Sequence, residues 1–164
     1  MKKAVFLDRD GVINREIGQY VYKIEDFYFN KGIFENLKLL QDNDFLLIII
    51  SNQGGVSKGL YTKYEVEILH GFLISEFLKN NVNIADIFYC PHHDEVENCL
   101  CRKPKDLLIR KALAIYDIDP QQSAFIGDSE RDIKSAKNAG IAKQYLIKSN
   151  QNINEFCNEI INTL

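Results

Sequence analysis

FLDRDGVIN, residues 6–14, is an apolar run that ends in two aspartates, Asp8 and Asp10, with a glycine directly after the second. The apolar residues Ala4–Leu7 have the length and composition of a short strand buried on both faces. Carboxylates at the tip of such a strand indicate a ligand site, because the loops at the carboxyl ends of parallel strands form the crevice of an α/β fold. We therefore expect the function at the strand ends.

Similar apolar runs recur along the chain and alternate with amphipathic stretches. The other predicted strands are Phe45–Ile50, Ile87–Tyr89, Ser123–Ile126 and Gln144–Ile147. The predicted helices are Ile33–Asp42, Thr62–Asn80 with a Thr62/Glu65 capping box, Leu107–Tyr116, Glu130–Ala139 and a C-terminal helix within Gln151–Leu164. Strand–helix alternation predicts an α/β fold, namely a Rossmann-like, doubly wound parallel sheet with helices on both faces.

Length and composition predict one globular domain over residues 1–164, because 46% apolar content in a chain of this length is enough for one core. A net charge of −3 without a Lys/Arg cluster argues against a nucleic-acid partner. No apolar stretch approaches the roughly 20 residues that span a bilayer. The start Met1–Ala4 leads into a strand without a cleavable signal. We expect a cytoplasmic monomer without membrane contact.

Four predicted strands lead to polar residues that should meet in one crevice. These residues are Asp8 and Asp10, Ser51-Asn52-Gln53-Gly54-Gly55, Arg102-Lys103, and Gly127-Asp128 with Asp132 four residues further on. Acidic side chains sharing a site require a cation, since two unit charges 4 Å apart repel by about 4 kcal/mol at an effective dielectric near 20. Mg²⁺ suits this set, because it takes one or two carboxylates and completes its shell with phosphate oxygens and water. The glycine-rich second loop suits an anion.

A second metal site is predicted in CPHHDEVENCLC, residues 90–101. Cys90, Cys99 and Cys101 with one histidine would form the closed tetrahedral shell of a structural zinc. By spacing alone, the nitrogen ligand is either His92 or His93. Such a zinc-binding loop would place the cations that follow it at the rim of the crevice.

The motifs DRDGVIN, SNQ, RK and GDSERD, in this order, resemble the four motifs of the haloacid dehalogenase (HAD) superfamily of aspartate-nucleophile phosphatases. The resemblance covers nearly the whole chain. The segment CPHH…CLCRKP narrows it to a small capless subfamily that contains D,D-heptose bisphosphate phosphatases and histidinol phosphatases. It implies that the zinc loop takes the place of a cap domain and that His92 is the zinc ligand.

This resemblance implies Mg²⁺-dependent hydrolysis of a phosphomonoester through an aspartyl phosphate. Asp8 would be the nucleophile, and Asp10 would act first as general acid and then as general base. Asp8, the Asp10 backbone carbonyl and Asp128 would bind Mg²⁺. Ser51 and Lys103 would contact the phosphoryl oxygens. Asp132 would orient Lys103 or a metal-bound water.

The motifs give conflicting indications of the substrate. Gly18, Tyr20 and Val21 resemble the GYV segment of the heptose enzymes, with one extra residue at Gln19. Against this, the loop between the histidines and Cys99 is short, as in the histidinol enzymes. Ser129 also stands where the heptose enzymes commonly have a lysine.

The charged residues favour a bisphosphate, because its second phosphate needs a cationic contact that Arg102 and Lys58 can supply. Histidinol phosphate would instead need a carboxylate for its ammonium group, and Glu16 is the candidate. The preferred reaction is removal of the 7-phosphate from D-glycero-D-manno-heptose 1,7-bisphosphate, of either anomer, with histidinol phosphate as the alternative substrate. The expected substrate-binding residues are Glu16, Gly18, Tyr20, Ser51, Asn52, Gln53, Gly54, Lys58, Arg102 and Lys103.

Two other functions are less favoured. A binding module that is stabilised by zinc and has no enzymatic activity is compatible with the fold. Both aspartates of the DxD motif are present, whereas an enzyme that has lost its activity typically loses the nucleophile. A mutase usually needs a cap to exclude water, and the stretch after the first motif is too short for one.

Overall fold

The computed structural model describes residues 1–164 and contains one five-stranded parallel sheet in the order β3-β2-β1-β4-β5. The strands are β1 (Ala4–Leu7), β2 (Leu46–Asn52), β3 (Ile84–Cys90), β4 (Ala124–Gly127) and β5 (Lys143–Leu146). The helices are α1 (Ile33–Asp42), α2 (Lys63–Lys79), α3 (Leu107–Tyr116), α4 (Glu130–Asn138) and α5 (Asn154–Thr163), with short 3₁₀ turns at Ile24–Asp26 and Pro120–Gln122. The predicted α/β class is confirmed.

Successive residues of β1 point into two separate hydrophobic cores on the two faces of the sheet. Val5 and Leu7 join a core that includes side chains of α1, α2 and α5. Ala4 and Phe6 join a second core with side chains of α3 and α4. Burial on both faces explains why this strand is a continuous apolar run instead of an alternating one. The sheet is doubly wound, as expected.

Two helices begin at capping boxes. Thr62 caps α2 together with Glu65, as predicted from the sequence. Ser129 caps α4 in the same way with Asp132 at the third helical position, a pair that the sequence analysis did not identify. This second cap matters for function, because Asp132 belongs to the predicted site.

Several element boundaries differ from the predicted ones, and the largest difference is at β3. The strand begins at Ile84 instead of Ile87, because Ile84 pairs with Leu47 of β2 across the sheet. Asp86 interrupts the apolar run but is accommodated, since it accepts a hydrogen bond from the Tyr116 hydroxyl at 3.0 Å. Likewise β2 extends to Asn52, which pairs with Cys90. Strand pairing, which is not visible locally, decides these ends.

The strand order reverses at β1, and this creates a crevice at the carboxyl end of that strand. β2 and β3 lie on one side of β1, and β4 and β5 lie on the other. A reversal of strand order of this kind is where open α/β sheets bind ligands. The longest connection, residues 8–32, contains only one short 3₁₀ turn, so no cap domain covers the crevice. No helix has the length and apolar character to cross a membrane.

Candidate active site

A polar cavity of about 290 Å³ lies at the carboxyl ends of β1, β2 and β4. It brings together most of the residues that the sequence motifs selected. The predicted residues in its lining are Asp8, Asp10, Glu16, Tyr20, Asn52, Gln53, Gly54, Arg102, Lys103, Asp128 and Asp132.

Lys103 lies at the centre of the charged residues. Its Nζ is 2.8 Å from Asp8 Oδ1 and 2.6 Å from Asp132 Oδ1. The same ammonium donates to the Ile50 carbonyl at 2.8 Å, so all three of its donor positions are used. Burial would lower the pKa of Lys103, but the two carboxylates outweigh burial and raise it. Lys103 is therefore charged, and its position is fixed.

Three carboxylates, those of Asp8, Asp128 and Asp132, have oxygens within 4.8 Å of one another. Burial and the neighbouring Asp132 carboxylate raise the pKa of Asp8, although Lys103 opposes the shift. Burial also raises the pKa of Asp128. Burial and mutual repulsion both disfavour the ionised form of these carboxyl groups. A divalent cation bound between them offsets both effects, because it attracts the ionised carboxylates. The donor set therefore fits Mg²⁺.

Two glycines allow these carboxylates to approach the strand ends. Gly11 has a φ of +87°, and a Cβ at this residue would lie 2.0 Å from Asp128 Oδ2. A Cβ at Gly127 would lie 2.4 Å from Asp132 Cβ. Any side chain at either position would displace a carboxylate of the cluster.

Asp10 has an environment different from that of Asp8. Its Oδ1 accepts hydrogen bonds from Arg9 Nη2 at 2.9 Å and Asn14 Nδ2 at 3.0 Å, and its Oδ2 accepts one from Gln53 Nε2 at 3.1 Å. Burial alone would raise the pKa of Asp10, but the Arg9 charge and these three donors lower it. The two aspartates of the DxD motif therefore have pKa values shifted in opposite directions.

Arg9 is fully buried, and the sequence analysis did not identify it as part of the site. Its Nη1 lies 3.3 Å from His70 Nε2, and its Nη2 donates to the Val21 carbonyl at 2.6 Å. Burial and the nearby Arg9 charge lower the pKa of His70 to about 3, so this histidine is neutral. Through Arg9, His70 becomes part of the environment of Asp10.

Three predicted contact residues lie outside the cavity lining. Ser51 is buried behind it, where its Oγ accepts a hydrogen bond from Gln53 Nε2 at 2.8 Å. Gly18 lines only a shallow neighbouring groove. Lys58 lies at the rim, where its Nζ is 2.8 Å from Glu95 Oε2. Contact of these three residues with the substrate stays a prediction.

The four predicted metal ligands of the Cys/His loop form one cluster, with Cys90, His92, Cys99 and Cys101 offering atoms within 4.8 Å of one another. Cys90 Sγ is 3.7 Å from Cys99 Sγ and 3.5 Å from His92 Nδ1. A tetrahedron with Zn–S bonds of about 2.3 Å has S–S edges of about 3.8 Å, so these separations fit. The Cys90–Cys101 separation of 2.9 Å would have to widen. His93 is not in the cluster and lines the cavity instead.

The cluster is coupled to the cavity through the residues that follow it. Arg102 Nη1 donates to the His92 carbonyl at 3.1 Å. The Lys103 backbone N–H donates to Asn52 Oδ1 at 3.0 Å, and Asn52 Nδ2 donates to the Lys103 carbonyl at 3.2 Å. These contacts attach the Cys/His loop to the end of β2 and orient Lys103 towards Asp8.

The chain is 40% identical to the D-glycero-alpha-D-manno-heptose-1,7-bisphosphate 7-phosphatase of Campylobacter jejuni, in an alignment that covers 98% of this chain and 91% of the relative. It is 43% identical to the D-glycero-beta-D-manno-heptose-1,7-bisphosphate 7-phosphatase of Helicobacter pylori strain J99, over 90% of this chain and 84% of the relative. The chain belongs to the heptose-1,7-bisphosphate 7-phosphatase family. Residues 100–155 also match the HAD-hydrolase-like family model.

A solved structure of the heptose bisphosphate phosphatase family has the same fold. The D,D-heptose 1,7-bisphosphate phosphatase from B. bronchiseptica, which was solved in complex with magnesium and phosphate, superposes with a TM-score of 0.87. The two proteins are 23% identical, and the alignment covers 100% of each chain. At this identity the likeness concerns the fold alone. It confirms the predicted fold class of the chain.

The cavity of this heptose bisphosphate phosphatase family member also contains residues that the motifs did not select. Arg131 is exposed and lines the cavity from the first turn of α4, next to Asp132. Gln19 and His93 also line it. Position in the sequence could have identified Arg131, since it lies inside the GDSERD motif. Gln19 lies inside the Gly18–Val21 segment, and His93 was the alternative zinc ligand, but neither was predicted to line the cavity.

Proposed function

We propose that the chain is a Mg²⁺-dependent phosphatase that removes the 7-phosphate of D-glycero-D-manno-heptose 1,7-bisphosphate through an aspartyl phosphate. The observation that carries the proposal is the position of Lys103 Nζ between Asp8 and Asp132, in a cavity that Asp10 and Asp128 also line. Two relatives at 40% and 43% identity are named for this reaction. We propose residues 1–164 as one phosphatase domain, with a metal loop at residues 90–101.

Asp8 is the proposed nucleophile. Its Oδ1 accepts hydrogen bonds from Lys103 Nζ and from the Arg9 backbone N–H, both at 2.8 Å, and these donors orient the carboxylate. Attack forms an O–P bond between Asp8 and phosphorus while the bond from phosphorus to the sugar oxygen breaks. The phosphoryl group then passes to water, and Asp8 is regenerated.

Asp10 is the proposed general acid and base. In the first step its proton passes to the departing sugar oxygen, and in the second step its carboxylate accepts a proton from the attacking water. The lowered pKa of Asp10 favours the ionised form, which is the base of the second step. The negative charge of a phosphate bound beside Asp10 favours the protonated form, which is the acid of the first step.

Cations must offset the repulsion between the nucleophile and its target. A carboxylate about 4 Å from a phosphate dianion is repelled by about 8 kcal/mol at an effective dielectric near 20. Lys103, fixed within 2.8 Å of Asp8, supplies one positive charge. Mg²⁺, held by Asp8, the Asp10 backbone carbonyl and Asp128, would supply two more. The Asp10 carbonyl accepts no hydrogen bond within the chain and can serve as a ligand.

Recognition of the second phosphate is assigned to Arg131 together with Arg102. Of the cations in the cavity lining, Lys103 is paired with two carboxylates, and Arg102 Nε lies 3.4 Å from Asp94 Oδ2. Arg131 has no carboxylate partner within 4.0 Å, although its neighbour Asp132 does pair with a cation. An unpaired guanidinium facing an open polar cavity suits a phosphate oxyanion.

We expect the bisphosphate to be the preferred substrate by about tenfold or more in kcat/KM over histidinol phosphate, since only the bisphosphate uses a second cation. Arg131→Gln should lower kcat/KM for the bisphosphate about tenfold while leaving heptose 7-phosphate within about twofold. Steady-state kinetics on both anomers of the bisphosphate, on heptose 7-phosphate and on histidinol phosphate measures all of this. A preference for histidinol phosphate would contradict the substrate assignment and leave the covalent mechanism intact.

We also propose that the cluster of Cys90, His92, Cys99 and Cys101 holds one structural zinc. Four protein ligands leave no open position, so the ion would fix the loop and with it Arg102 and Lys103. Metal analysis of protein purified without added zinc should give about one zinc per chain. Cys99→Ser should lower the zinc content and also lower kcat/KM about tenfold or more, because Arg102, which donates to the His92 carbonyl, is no longer held at the cavity.

The matched control for the zinc experiment is Cys157→Ala. Cys157 lies in the hydrophobic core, and burial raises the pKa of its thiol to about 12. This variant should keep its zinc. Full zinc occupancy in Cys99→Ser, or no zinc in the wild-type chain, would remove the proposed site.

A further inference from the structure

A chain of hydrogen bonds connects a buried tyrosine to Asp10. Tyr61 is 4% exposed, and its hydroxyl donates to Gln53 Oε1 at 2.8 Å. The nitrogen of the same amide, Gln53 Nε2, donates to Asp10 Oδ2 at 3.1 Å and to Ser51 Oγ at 2.8 Å. Tyr61 is not among the residues that line the cavity, so its effect on the reaction has to pass through Gln53.

The orientation of the Gln53 amide decides which atom faces Asp10. Rotated by half a turn, the amide would direct Oε1 at Asp10, where this oxygen would repel the ionised carboxylate or accept the proton that the acid form has to donate. The two ends of an amide are almost equal in shape, so packing does not distinguish them. The Tyr61 hydroxyl donates to Oε1 and so anchors the amide in the orientation in which Nε2 faces Asp10. Burial raises the pKa of Tyr61, which keeps the hydroxyl protonated as a donor.

We propose that Tyr61 is a positioning residue for Asp10 and acts by fixing the Gln53 amide; this inference rests on the phosphatase function proposed above. When the bond from phosphorus to the sugar oxygen breaks, the proton on Asp10 passes to that oxygen. A carboxyl group displaced by a wrongly oriented amide transfers the proton less effectively. The effect should therefore depend on how much the leaving group needs a proton.

The aromatic ring of Tyr61 is held independently of its hydroxyl. It stacks on Tyr22 with ring centroids 4.8 Å apart and an interplanar angle of 8°. It also packs on Gly55, where a Cβ would lie 2.1 Å from Tyr61 Cε1. Tyr61→Phe keeps these contacts and removes only the donor. Tyr22→Phe is the matched control, because it removes a hydroxyl from the same stack without affecting Gln53.

The experiment compares two leaving groups. An alkoxide leaving from heptose 1,7-bisphosphate needs the Asp10 proton, whereas p-nitrophenolate leaves without one. Tyr61→Phe should lower kcat/KM about tenfold for the bisphosphate and less than about twofold for p-nitrophenyl phosphate, with KM for the bisphosphate unchanged within about twofold. Tyr22→Phe should leave both values unchanged. Turnover by the wild-type chain tests the proposed function, and the ratio between the variants tests Tyr61 alone.

A second pair of variants tests whether Tyr61 acts through Gln53. Gln53→Met keeps the length of the side chain and removes both ends of the amide. In this background Tyr61→Phe should cause no further loss, because coupled residues are not additive. Equal losses on the two substrates, unchanged kinetics on both, or additive losses in the Gln53→Met background would each overturn the proposal.

Discussion

Asp8→Asn is expected to lower kcat by about four orders of magnitude or more, because it replaces the attacking carboxylate with an amide that cannot form the aspartyl phosphate. The amide has the same shape, and its oxygen can still accept the hydrogen bonds from Lys103 and Arg9 that now reach Asp8 Oδ1. The fold and the charge of Lys103 should therefore be retained. Steady-state turnover of the bisphosphate, together with thermal unfolding followed by circular dichroism, measures both properties.

Asp128→Asn provides the comparison for Asp8→Asn. Asp128 belongs to the same carboxylate cluster, but its only proposed role is to bind the metal. Its Oδ2 accepts a hydrogen bond from the Ser149 hydroxyl. This variant should need a higher Mg²⁺ concentration for half-maximal rate and should recover part of its activity when Mg²⁺ is raised. Asp8→Asn should not recover. Turnover by Asp8→Asn at near the wild-type rate would refute the covalent mechanism.

Lys103→Met should have the second largest effect, lowering kcat/KM about a thousandfold, which corresponds to about 4 kcal/mol of transition-state stabilisation. The ammonium lies within 2.8 Å of three acceptors and is almost completely buried. Its removal takes away the charge that attracts the phosphoryl group and leaves Asp8 and Asp132 to repel each other. In the absence of Mg²⁺ the free energy of unfolding should fall by about 3–5 kcal/mol, as when one partner of a buried ion pair is removed.

Lys103→Arg should not restore activity, because a planar guanidinium does not fit where a compact ammonium contacts three oxygens. The matched control is Lys58→Met, which removes a lysine that the sequence selected but that pairs with Glu95 at the rim. This variant should keep kcat/KM within about threefold. A small effect of Lys103→Met, or an equally large effect of Lys58→Met, would show that the charge at Lys103 is not the essential one.

The catalytic motifs could be predicted from the sequence because each one is a local pattern at the end of a strand. Asp8, Asp128 and Lys103 follow strands or loops whose direction is determined by the parallel sheet, so their meeting is a consequence of topology. Side chains in the middle of the loops were harder to place. Ser51 and Lys58 were predicted to contact the substrate. Ser51 is buried behind the cavity lining and Lys58 pairs with Glu95, so these two contacts stay predictions.

The sequence by itself determined the α/β class, the four motifs at the strand ends and the composition of the Cys/His cluster. These features depend on hydrophobic periodicity and on the order of residues along one segment. The tertiary structure alone decided the environment of Asp10. The contacts from Gln53 and, through Arg9, from His70 join residues 43 and 61 positions apart in the chain. The Gln53 contact forms when β2 pairs with β1, and the His70 contact forms when α2 packs against the sheet, so no pattern within a single segment specifies them. The tertiary structure also brings the hydroxyl of Tyr61, and not that of its stacked neighbour Tyr22, to the amide of Gln53.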